Sequence, residues 1–82
     1  MDREIREIFD DYTLQIWWSK EDDSYIAMMV ELPCCKGDGA TREEAIEEAY
    51  LSFEGWYDFY REDSSGTMIL PQPMSRSVYD VA

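Results

Sequence analysis

ELPCCKGDGATREEA, residues 31–45, is where the chain changes its hydrophobic period, and its reading decides the fold. Before it, apolar residues recur every second position; after it, they recur every third or fourth. Between the two lie adjacent cysteines, two glycines one residue apart, a lysine and a threonine followed by acids. Each of these residue types serves chemistry somewhere, so the stretch is a metal clasp, a phosphate cradle or a bend from strand to helix.

Upstream, Leu14, Ile16 and Trp18 point one way while Thr13, Gln15 and Trp17 point the other, which predicts a strand from Tyr12. SKEDDS, residues 19–24, is polar and turn-prone, and Tyr25 to Leu32 reads as the second strand of a hairpin. Pro33 lacks an N–H and ends that strand or sits on its edge, with Cys34 to Gly37 expected as a third, outer strand. Residues 2–10, with Ile5, Ile8 and Phe9 at helical spacing, predict a short N-terminal helix without a clear N-cap.

Downstream, Thr41 and Glu44 fit a capping box, the threonine accepting from the N–H three residues on and Glu44 reaching back to the threonine N–H. Ile46, Ala49, Tyr50, Phe53, Trp56, Tyr57 and Tyr60 then draw one apolar stripe over about twenty residues, a length typical of a long globular helix. Ser64, Ser65 and Gly66 stop it. Thr67 to Leu70 is expected to extend as a further strand before Pro71 and Pro73, and Ser77 to Val81 alternates weakly as a terminal arm. The fold class is therefore α+β: a three-stranded antiparallel sheet, one long helix, a C-terminal strand and a short N-terminal helix. One domain of 82 residues is expected, with 1–10 as a helical extension, 12–73 as core and 74–82 as tail.

Composition narrows the function. Nineteen acidic against seven basic residues give a net charge of −12, which argues against holding a phosphate backbone and for a basic protein partner. A chain this short hides only about 60–65% of its unfolded surface, so a homo-oligomer, dimer or tetramer, is expected. The charged N-terminus is unlike a secretory leader and the longest apolar run, YIAMMV, is too short to span a bilayer, which predicts a cytoplasmic protein with reduced thiols.

With no histidine and adjacent cysteines on opposite faces, residues 31–45 lack a zinc ligand set. Asp38 puts a negative charge in any phosphate cradle, and no Lys-Ser/Thr pair follows the glycines. The plain reading is that Gly37 and Gly39 permit a tight turn from strand to helix and Thr41 caps the helix. Neither thiol has a basic neighbour in sequence, so no nucleophile, cofactor or metal is assigned. Trp56 and Trp18 read as core. Trp17 falls on the sheet face that one helix cannot cover, and Trp17, Glu31, Asp22 and Asp23 are the residues taken as partner-binding.

The ordered set Tyr25 and Ala27, Leu32-Pro33 and Cys35, Gly39, Thr41, Glu43-Glu44-Ala45, Trp56, Pro71 and Pro73 resembles the HicB antitoxin family over roughly residues 12–73. Cys34 stands where that family usually has glycine, and Ala40 where it has aspartate. The resemblance implies a partial ribonuclease H-like fold without catalytic residues, and a role in covering the active site of a small basic, HicA-type toxin that cleaves messenger RNA. Many relatives carry a C-terminal DNA-binding domain; the few residues after Pro73 imply a short form without one, and no direct nucleic-acid binding. Two other classes stay open on the residues alone. One is a non-catalytic homo-oligomeric regulator or ligand binder with its sheet face filled by a copy of itself. The other is a magnesium-dependent nuclease, whose carboxylates would have to converge on a strand.

Overall fold

A computed structural model of the protein describes residues 4–73. The elements are α1 (Ile5–Asp10), β1 (Leu14–Ser19), β2 (Ser24–Met29), β3 (Lys36–Gly39) and α2 (Arg42–Glu62). The strands form one antiparallel sheet in the order β1-β2-β3, so the α+β class with a three-stranded sheet and a long helix is as read from the sequence.

Register follows from alternation. Leu14 faces Met29, Ile16 faces Ala27, and Trp18 faces Tyr25, and this whole set lies on the α2 side. On β3 the partners of Tyr25 and Ala27 are Gly39 and Gly37. A Cβ on Gly37 would sit 2.3 Å from the Ala49 nitrogen and 2.4 Å from the Glu48 Cβ; one on Gly39 would sit 2.5 Å from the Glu44 Cβ. Both glycines thus belong to the strand, not to the turn expected of them, and their missing side chains let α2 rest on the β3 backbone. Ala45 and Ala49 continue that close approach from the helix side, both fully buried, and the Ser52 hydroxyl donates to the Lys36 carbonyl at 2.9 Å.

The third strand is shifted two residues from its expected place because Pro33 and Cys34 form a turn first. Its closing bonds run from Cys35 N–H to the Leu32 carbonyl at 2.8 Å and from Met29 N–H to the Cys35 carbonyl at 3.0 Å. Thr41 caps α2 by accepting from Glu44 N–H at 3.2 Å, while the Glu44 carboxylate accepts from the Ala40 N–H at 2.8 Å, one residue earlier than the capping-box spacing predicts.

Only the first half of α2 lies on the sheet. The second half is packed by aromatic rings: Phe53, fully buried, touches Phe9, Tyr12, Trp56 and Tyr57 at centroid distances of 5.6–6.2 Å. Trp56 is half-buried against this core and stacks on Tyr60 at 5.6 Å. Trp18, expected in the core, is 46% exposed. It sits at the hairpin end of β1, whereas α2 covers β3 and β2, so its ring rests only on the edge of Tyr25 at 4.9 Å.

Thr67 to Leu70, expected as a strand, makes no ladder. The proline at 71 has no N–H to offer, and the segment is held instead by side chains. Asp63 accepts from Ser65 Oγ at 2.5 Å, Thr67 Oγ1 at 3.2 Å and Met68 N–H at 2.8 Å, and the Tyr12 hydroxyl donates to the Pro71 carbonyl at 2.6 Å. The expected arm at 77–81 lies outside the described residues.

Gly37→Ala is expected to destabilise the fold by about 3 kcal/mol, since the new methyl meets backbone that cannot yield. Gly55→Ala, at a helix position where nothing lies within 4 Å of the added carbon, is expected to stabilise by about 1 kcal/mol. Urea unfolding of the two variants therefore moves in opposite directions. A second expectation concerns acid. The donors from Ser65, Met68 and Thr67 hold the Asp63 carboxyl at about 2, below its ordinary 3.8. Because the folded value is the lower one, the clasp contributes fully above the ordinary value and is lost as pH falls from about 4 towards 2. A carboxyl-carbon NMR titration should place the Asp63 midpoint near 2, with faster exchange of the Met68 amide below it.

Candidate functional site: the uncovered face of the sheet

Residues that alternate with the core row face away from α2. Trp17 stands opposite Ile26, which stands opposite Asp38; Gln15 stands opposite Met28, which stands opposite Lys36. These two rungs place an apolar floor of Trp17, Ile26 and Met28 across the sheet, with Trp17 40% exposed. An open groove of about 670 Å³ runs over it, bounded by Glu21 and Asp22 from the hairpin and by Lys36 and Asp38 from β3. Three carboxylates against one ammonium make the rim anionic.

The hairpin turn is built to keep its acids outward. The Ser19 hydroxyl donates to the Asp22 carboxylate at 3.0 Å and accepts from the Asp22 N–H at 3.2 Å, which fixes Asp22 at the groove. Asp23 adopts a left-handed conformation (φ 53°), which aspartate tolerates better than most residues. Ser24, cross-strand from Ser19, keeps its Oγ buried without a hydrogen-bond partner.

Of the residues assigned to partner binding, Trp17 and Asp22 share this groove and Asp23 borders it in the turn. Glu31 does not join them. It lies at the other end of the hairpin, where its carboxylate accepts from Thr13 N–H at 2.9 Å and from Thr13 Oγ1 at 3.1 Å, tying the entry of β1 to the exit of β2. Ile26, Met28 and Asp38 were not singled out from the sequence. Alternation signals the first two, but Asp38 joins only through the two-residue shift of β3.

The arginines lie along aromatic rings at the surface. The Arg6 guanidinium lies 4.6 Å from the Tyr50 ring centre and pairs with Glu47 at 3.0 Å. Arg42 lies over Tyr25 at 5.3 Å and Arg61 over Tyr57 at 5.7 Å. Every arginine among the described residues thus rests on an aromatic face, the geometry of cation–π attraction.

Of the cysteine pair, the buried Cys35 is poorly placed to act as a nucleophile. Burial pushes the Cys35 thiol up to about 12, and the neighbouring Cys34, 4.0 Å away between sulfurs, adds to it. Tyr12 is also pushed up to about 12 by burial and by the Glu31 carboxylate. Among the described residues, no group of three or more Cys, Asp or Glu side chains is placed to hold a metal ion, and no helix is long and apolar enough to cross a membrane.

No family model matches the chain, and neither does any curated protein or solved structure.

Thiol accessibility gives a direct check. In the native protein at neutral pH, one thiol per chain should react promptly with a maleimide, namely the exposed Cys34, with Cys35 following only on unfolding. Peptide mapping that found Cys35 labelled first would refute this packing of the 31–35 turn.

Proposed function

We propose that the protein is an antitoxin-like binding module of HicB type that neutralises a small basic, messenger-RNA-cleaving toxin by covering its active site. The observation that carries this reading is the groove of the open sheet face. Its apolar floor of Trp17, Ile26 and Met28 supplies area to bury, and its rim of Glu21, Asp22 and Asp38 supplies complementary charge. A ribonuclease must be cationic to hold its substrate, so a chain at −12 is steered onto it, with encounter faster by roughly ten- to a thousand-fold at low salt. Covering an active site needs no chemistry from the cover, and a chain with no histidine and a buried, unreactive Cys35 is suited to that.

The partial ribonuclease H-like architecture and the cytoplasmic setting belong to the same proposal. So does the absence of direct nucleic-acid binding, which the net charge of −12 supports by repelling phosphate. A homo-oligomer with sheet faces packed together is the competing reading, favoured by the same exposed Trp17.

Co-purification with the product of the adjacent gene decides between them. A stable complex with a small basic protein whose RNA cleavage is abolished supports the proposal. A salt-insensitive homodimer that ignores that product overturns it. Within such a complex, the double variant Asp22→Asn and Asp23→Asn keeps the turn geometry but removes two charges, and is expected to slow association about ten-fold at low salt. Trp17→Ala, at the centre of the groove, is expected to accelerate dissociation by about 2 kcal/mol. Stopped-flow rates that neither change moves would take the sheet face out of the interface.

A further inference from the structure

Gly55 lies in the middle of a 21-residue helix, a position where glycine costs about 1 kcal/mol relative to alanine. Gly37 and Gly39 are required by the approach of α2, but nothing lies within 4 Å of a Cβ placed on Gly55. Nothing among the described residues accounts for it. One turn before it stands Leu51, 52% exposed, and one turn after it Phe59, 71% exposed. Spacing of four puts all three on one flank of α2, about a third of a turn round from the buried Ala45, Ala49 and Phe53, so they form two apolar knobs with a notch between. Interleaved on the same flank are Glu48, whose Cβ borders β3 at Gly37, and Asp58 and Glu62, all three exposed and all negative.

We infer that this flank of α2 is a second docking surface, separate from the sheet groove, and that its occupant is an amphipathic helix carrying apolar residues flanked by Lys or Arg. Charge selects that occupant. A second copy in antiparallel array about Gly55 would set Leu51 against Phe59 favourably, but would set Glu48 of each chain against Glu62 of the other. A parallel array would set each acid against itself. Like charges in such contacts oppose association, and nucleic acid is repelled for the same reason. A cationic helix instead lays a bulky side chain into the notch at Gly55 and pairs its flanks with the three carboxylates, the helix-in-groove mode of recognition. This inference stands apart from the toxin-masking reading, which is carried by the sheet face.

The test uses a labelled synthetic peptide of leucine and lysine at helical spacing, about four turns long, and an isomer of equal composition with the order scrambled. Fluorescence anisotropy should show the amphipathic peptide binding about ten-fold more tightly than its isomer. Gly55→Gln, which fills the notch, and Phe59→Ser, which removes a knob, should each weaken it about ten-fold, while Trp17→Ser leaves it unchanged. Amide shifts on titration should centre on residues 51–59. Equal affinity for the scrambled isomer would mean that charge alone attracts it, and overturns the inference. Loss of binding in Trp17→Ser with retention in Phe59→Ser would assign the peptide to the sheet face and overturns it too. A dimer of the free protein that Phe59→Ser dissolves would give this face to a second copy, with the same consequence.

Discussion

The fold depends on one contact between two backbones. α2 can lie on β3 only because Gly37 and Gly39 present no side chain to it, leaving less than 3 Å between the sites of their absent Cβ atoms and the helix. Side chains in cores are normally the spacers that hold helix and sheet apart; removing them here draws Ala45 and Ala49 into complete burial. With the helix so close, a single large residue per turn suffices to complete the core. Phe53 is that residue, and Met29 and Cys35 fill the remaining depth.

That seat also decides which surfaces are left over. A helix anchored on an edge strand of four residues covers β3 and β2 and leaves β1 at the margin, so Trp18 shares the α2 side with Ile16 without being buried by α2. The core beyond the sheet is then supplied by α1 and by the segment after α2, through Phe9, Tyr12 and Leu70. Among the described residues, nothing covers the opposite sheet face, because the long helix α2 is already engaged with β3 and β2. The row of exposed Trp17 and half-buried Ile26 and Met28 is thus a consequence of where the glycine seat places α2.

Periodicity alone revealed the hairpin, the capping of α2 by Thr41 and most of its buried stripe. Alternation is a local property, and Trp17 was placed correctly on the uncovered face for that reason. What it could not reveal was anything set by the approach of distant elements. Gly37 and Gly39 look like turn residues in sequence, since a loop before an N-cap is where glycines usually sit; their role appears only once α2 is laid over them. The same two-residue shift carried Asp38 to the groove. Glu31 looked exposed beside the strand, yet a free Thr13 N–H at the entry of β1 claims its carboxylate. Trp18 failed as a core residue because strand alternation gives the face of a residue but not how far the covering helix extends.

Charge placement adds a further constraint. α2 carries four like-charged pairs at spacing four, Glu43 with Glu47, Glu44 with Glu48, Glu54 with Asp58, and Asp58 with Glu62, each opposing the helix by about 0.2–0.5 kcal/mol. Among the described residues, Arg42 and Arg61 rest on tyrosine rings, and Arg6 reaches an acid on α2 at Glu47. Arg42 and Arg61 thus lie along aromatic rings at the surface while most of the acids of the same helix face one another, where their repulsion works against folding. Any cationic body that settles on such a surface removes that repulsion as well as making contacts of its own, so its binding and the stability of the fold rise together. The proposed cationic partner would thus act on the stability of the fold as well as on its contact surface.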